Sequence, residues 1–320
     1  MSKMDCTFLI TLHNLKISEN LGTGIELDKN VFLTNDIETI KGLVTEKVIP
    51  IIGLSEYHNI INAGAVVYTN TQLDIDNFDE RTSLIKFLKL SALLCQAFWL
   101  IKDTSVCSDL GHLIYIKDKS INVHSNYFTS QYFNCVGETA QTEFSLNELN
   151  LLSQYQYFLF HLSENKANQN YTALVTEHNR LQRASFFIQS ARSQNDIGIR
   201  ISQFCIALEC LFSISNSELK HRLSETISLI LGKGFEEKQK IYFDIQKAYD
   251  LRSSITHGDP IPAKYLKNDY QLLKDVCYNS DQYMRSIFTN LITDNILYHH
   301  LTKSSNDDLQ KYFLGLIFQG

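Results

Sequence analysis

Residues 197–214 read IGIRISQFCIALECLFSI. Wound into a 3.6-residue helix, this stretch puts apolar side chains on nearly every side, which marks a helix enclosed by others. It therefore predicts a helical bundle around itself. Glu209 breaks the pattern. A carboxylate in such a helix is rarely enclosed unless it is paired. Its candidate partners are Arg222 and Arg252 in the following segments; the other reading is a polar stripe, Ser202, Glu209 and Ser213, that reaches solvent.

Further helical segments are predicted near 169–193, 218–231, 236–256, 263–293 and 306–318. Ser145 followed three residues later by Glu148 is a capping-box pattern and marks where the helical part begins. The aromatic run Tyr155, Tyr157, Phe158 and Phe160 has helical spacing and reads as core rather than as a platform for bases. Before Ser145 the patterns differ. Phe8–Ile17, Gly24–Leu33, Ala65–Thr71, His112–Ile116 and Ile121–His124 are β-rich, and they alternate with helical stretches at Asp36–Glu46 and Arg81–Ile101. The expected architecture is an α+β domain over 1–143 followed by an all-α bundle over 144–320.

Composition supports two folded parts. The chain has 320 residues, 44% hydrophobic and 20% charged, with three prolines and a net charge of −6. That excludes disordered, fibrous and polybasic chains. Residues 1–143 carry 11 basic and 17 acidic side chains, and residues 144–320 carry 18 of each, so the whole net charge lies in the first part. Six arginines, Arg180, Arg183, Arg192, Arg200, Arg222 and Arg252, fall between 180 and 252. Arginine suits phosphate recognition and buried ion pairs alike.

The seven cysteines are scattered, with no CxxC pair, and read as reduced thiols with no metal site. The opening MSKMDCTFLITLHNLK has too short an apolar stretch for a secretory signal, and Leu90–Ile101 falls short of the ~20 residues that cross a bilayer. A cytoplasmic protein that does not engage membrane is expected.

The chemistry concentrates in AYDLRSSITHGDPIP, residues 248–262. Gly258 suits the position just past a helix end, and Pro260 and Pro262 prevent continuation. His257 thus stands at a helix C-terminus, where positive charge is favoured. Arg252 lies five residues earlier, about 140° around an ideal helix, and the two converge only if the backbone turns after about Ile255. An arginine that grips phosphate and a histidine that moves a proton suit phosphodiester chemistry. RNA brings its own nucleophile, the 2′-OH, so no metal or other cofactor is needed.

The runs ALECLF (207–212), HRLSETIS (221–228) and AYDLRSSITHG (248–258) resemble the HEPN superfamily, and within it the Apea-like group, over about residues 145–300. The resemblance implies a helical HEPN-like bundle whose R-x4–6-H motif ends one helix. Many such proteins are metal-independent endoribonucleases, toxins or effectors of anti-phage defence and abortive infection, and they commonly dimerise so that two motifs line one cleft. On this basis Arg252 and His257 are the expected catalytic residues, with Glu209, Arg222, Ser253 and Thr256 supporting them. Ser253 departs from the family, where Asn, Asp or His often follows the motif arginine. The expected partners are single-stranded RNA, a second copy of the chain, and a regulatory or phage-derived protein. The first domain is read as a sensor or regulatory region. The alternative function is a non-catalytic dimerisation or binding module.

Overall fold

The structure is a computed structural model and describes residues 3–126, 131–163, 172, 174–214 and 218–319. An N-terminal sheet-rich region is followed by a mostly helical C-terminal region. The chain divides into two compact units, one of residues 1–132 and 139–160, the other of 133–138 and 161–320. The division expected at 143/144 therefore falls later, and a short segment, 133–138, goes with the helical unit instead.

The first unit contains, in order, β1 (Lys3–His13), β2 (Leu15–Ile17), β3 (Ile25–Asp28), β4 (Val31–Thr34), α1 (Ile37–Leu43), α2 (Ile49–Ile52), α3 (Leu54–Ile61), β5 (Ala65–Asp74), α4 (Glu80–Ile101), β6 (Cys107–Lys117), β7 (Ser120–Ser125), β8 (Thr142–Phe144), α5 (Leu146–Leu149) and α6 (Leu152–Ser163), the last as far as Phe160. Six strands form an antiparallel sheet in the order β3-β4-β5-β1-β6-β7, and β2 pairs with β8 in parallel.

Successive side chains of a strand point to opposite faces, so a central strand covered on both faces reads as a continuous apolar run. In β1, Phe8 to Leu12 are all buried. Phe8 meets Phe87 of α4 at 5.2 Å between ring centroids. Leu9, on the other face, packs with Ile40, Val44, Val48 and Ile60 of the α1–α3 segment and with Val66 and Tyr68 of β5. Helix α4, started by the Asp79 side chain accepting from the Thr82 N–H, is long and apolar enough to cross a bilayer. Its Phe87, Leu94, Phe98, Trp99 and Leu100 are instead buried.

His112 on β6 is 2% exposed, with Nδ1 2.7 Å from Ser125 Oγ and Nε2 3.1 Å from Glu56 Oε1. Burial holds its imidazole below the usual range against the opposing pull of Glu56 and Asp109.

The second unit contains α7 (Arg180–Arg192), α8 (Ile197–Phe212), α9 (Leu219–Leu231), α10 (Phe235–His257), α11 (Gln271–Thr293), α12 (Asn295–Lys303) and α13 (Asn306–Gln319). Helix α8 lies at its centre and packs against α7, α9, α10 and α11. Buried residues run around it, among them Ile201, Phe204, Cys205, Leu208 and Leu211, as its apolar periphery requires.

Several local expectations shift. The helix expected from 169 starts at Arg180, capped by Asn179 and Gln182; residues 164–171 and 173 lie outside the described residues. The helix expected from 263 is a 3-10 turn, Ala263–Tyr265, then α11, separated by Asn268, Asp269 and Tyr270 at positive φ. Gly24–Leu33 is a hairpin, with Asn30 at φ 61°. The aromatic run in α6 is not wholly core: Tyr157 and Phe160 are 67% and 43% exposed, and Leu152, Gln156, Leu159 and Leu162 are the buried residues.

Candidate functional site

The site expected from the sequence lies where α8 meets α10. Near the end of α8, Glu209 presents its carboxylate to two residues of α10 spaced three apart, which places them on one face. Tyr249 donates its hydroxyl to Glu209 Oε1 at 2.5 Å. Arg252 places Nη2 3.2 Å from Oε1 and 3.3 Å from Oε2. The Arg252 guanidinium also lies over the Tyr249 ring, 5.4 Å from its centroid, a cation–π contact. The side chains of Arg252 and Glu209 are 25% and 19% exposed, so the pair is neither sealed nor fully wet. Burial, and then the hydrogen bond to Glu209, push the Tyr249 phenol well above its ordinary range. Burial does the same to the Cys205 thiol one turn before Glu209, which is inert as a nucleophile.

Of the two sequence candidates for Glu209, the structure thus provides Arg252. Arg222 is exposed on α9, at the wall of a cavity of about 180 Å³ that Phe212, Leu223 and Phe313 also line. Tyr249 escaped the sequence reading. Its signal was its place three residues before Arg252, on the same helix face.

His257 is the last residue of α10 and is exposed. The helix ends in a Schellman motif: Gly258 N–H donates to the Ile255 carbonyl at 3.1 Å and Asp259 N–H to the Ser254 carbonyl at 2.8 Å, with Gly258 at φ 75°. The chain then turns back, and Ile261 packs beside Gly198 at the start of α8. The turn comes after His257 and not after Ile255. Arg252 and His257 therefore remain about 140° apart on one continuous helix, and the expected convergence within one chain does not occur. Ser253 is exposed. Thr256 donates its hydroxyl to the Arg252 carbonyl at 2.8 Å, so that donor is engaged with the helix backbone.

No protein-family model, no curated protein and no solved structure matches the chain. The chemistry of the site rests on its own geometry.

That geometry also reassigns the arginine cluster. Arg180, first residue of α7, donates from Nη1 to the carbonyls of Cys210, Leu211 and Ser213 at the end of α8, at 2.8–3.3 Å. Arg200, in the first turn of α8, donates to the carbonyls of Arg192 and Gln194 at the end of α7, at 3.4 and 2.9 Å, and to that of Phe133 at 3.3 Å. Two antiparallel helices thus cap each other's C-termini with arginine, each guanidinium meeting orphan carbonyls and the negative end of a helix dipole. Arg192 and Arg200 are fully buried. Arg180 and Arg200 therefore hold helix ends together and do not form a phosphate-binding surface.

Proposed function

We propose that the helical unit is a HEPN-like bundle acting as a metal-independent endoribonuclease in prokaryotic anti-phage defence, of the abortive-infection kind, within the cytoplasm. The observation that carries this reading is Arg252, held on α10 by Glu209 and Tyr249, on the helix that ends at the exposed His257. Glu209 fixes the guanidinium, and the guanidinium stabilises charge as it builds on a phosphate. His257 exchanges a proton with the 2′-OH or the leaving 5′-oxygen. The 2′-oxygen attacks the adjacent phosphorus and the 5′-oxygen departs, leaving a cyclic phosphate and a 5′-hydroxyl. Single-stranded RNA is the substrate, because its flexible backbone reaches in-line geometry.

In this reading the two groups, about 140° apart on one helix, meet one phosphodiester in a cleft that a second chain completes. The reading therefore includes a homodimer in which both motifs face one groove. The sheet unit, which carries the whole net charge, is the regulatory half in this reading, the part that senses infection or a phage-derived protein.

The test is purified protein on mixed RNA with EDTA present. Fragments ending in cyclic phosphate are expected, and their loss in His257→Ala protein. Equal cleavage by that variant removes His257 from the site.

The inward pairing of Arg252 with Glu209 favours a second reading, a non-catalytic dimerisation module that binds RNA or protein. Under it the native chain cleaves no RNA.

A further inference from the structure

In the first unit, helices α1–α3 cover the sheet over Leu9, Val66 and Tyr68. Toward the start of β1 the same face opens into a hollow of about 560 Å³, a volume within the ~300–1,000 Å³ range of small-molecule sites. Its floor follows from the register. Thr7 lies between Asn70 of β5 and Ile114 of β6, Asp5 opposite Gln72, and Ile116 opposite Ile121. One half of the floor is polar and the other is branched aliphatic, and Leu43 and Val48 of the α1–α2 stretch border it.

The charge of the lining is one-sided. Asp5 is its only charged side chain among the described residues, with no lysine, arginine or histidine beside it. Such a hollow repels phosphates and carboxylates and accepts a neutral ligand rich in donors. Its hydrogen-bonding capacity is partly used and partly left. Asp5 Oδ1 accepts from Gln72 Nε2 at 2.8 Å, which leaves Asp5 Oδ2 and Gln72 Oε1 as acceptors. Thr7 donates to Asn70 Oδ1 at 2.7 Å, which leaves the Asn70 amide N–H groups as donors. Along β5 the wall therefore offers a donor and then acceptors, beside an apolar surface suited to a flat ring.

We propose that this hollow binds a guanine base presented as a nucleoside. Guanine shows an acceptor (O6) and then donors (N1–H and the 2-amino group) along one edge, the complement of Asn70, Asp5 and Gln72. The aliphatic half of the floor packs against the ring, and the absence of a basic side chain selects the base or nucleoside over the nucleotide phosphates. Adenine presents the opposite order on that edge.

The test is calorimetric titration of the intact chain with guanosine, inosine and adenosine. Guanosine is expected to bind saturably, and inosine, which lacks the 2-amino group, at least about tenfold more weakly. Adenosine is expected not to bind. Asp5→Ala and, independently, Asn70→Ala should each weaken guanosine at least about tenfold, with little change in melting temperature because both residues are exposed. No saturable guanosine binding, equal affinity for adenosine, or affinity unchanged in both variants overturns the proposal. Because the readout is binding and not RNA cleavage, its outcome is independent of the nuclease reading.

Discussion

Arg252 and His257 stand on one unbroken helix, about 140° apart around its axis. The first turns inward to Glu209 and the second is exposed at the helix end. Substitutions should therefore separate them sharply. Arg252→Ala removes a partly buried ion pair and leaves Glu209 with Tyr249 alone, at an expected cost of about 1–3 kcal/mol. His257→Ala, at an exposed position, should stay within about 0.5 kcal/mol of the native protein. Urea denaturation of the two variants measures both. A large loss for His257→Ala would show that the histidine holds the fold.

Tyr249→Phe deletes one hydroxyl and leaves the ring beneath Arg252. The expected loss is about 1 kcal/mol, from a carboxylate deprived of a short hydrogen bond. The double variant with Glu209→Ala should lose less than the two single losses added together, because both changes remove the same bond. Full additivity would mean that the bond contributes nothing.

Arg200→Met should destabilise by about 1.5–3 kcal/mol, since it strips the carbonyls of Arg192, Gln194 and Phe133 of a charged donor inside the protein. The urea midpoint should fall with the slope unchanged. A neutral result would mean that these carbonyls find other donors.

Among the described residues, two glycines at positive φ in the helical unit make a paired comparison. A Cβ at Gly137, φ 80°, would stand 2.1 Å from the Asn195 carbonyl oxygen, whereas a Cβ at Gly258, φ 75°, meets nothing within 4 Å. Gly258→Ala should cost about 1 kcal/mol from backbone conformation alone. Gly137→Ala adds a clash of backbone against side chain and should cost more than about 2 kcal/mol. Equal losses would mean that the 133–138 segment lifts freely.

Stability should also fall in mild acid through His112. Its folded-state pKa is depressed by burial, so the unfolded chain binds the proton more readily. The contribution is fully present above the unfolded value of about 6.5 and is lost as the pH falls through the folded value. His112→Gln should flatten the dependence of melting temperature on pH below about 6.5. An unchanged slope would assign the acid sensitivity to other groups.

Much of this was legible in residue order. The enclosed character of α8, the capping box at Ser145 and Glu148, and the helix end at Gly258 depend on neighbours within a turn or two, and local patterns report local geometry. The segment over 49–61 was silent because IPIIGLSEYHNII is too short and mixed for a clear period, yet it forms α2 and α3 over the sheet. The α6 aromatics misled because helical spacing shows which residues share a face but not whether that face is covered.

Residue order also placed Glu209, Arg252 and His257 on two helices and named the two arginines that Glu209 could take. The fold selected Arg252, added Tyr249, and turned Arg180 and Arg200 to helix ends. It also carried α10 past Ile255, so Arg252 and His257 stayed on different faces. Helix type and helix ends follow from interactions over three to six residues. The partner of a long charged side chain follows from which helices pack together and at what rotation, and that is settled by burial over the whole unit.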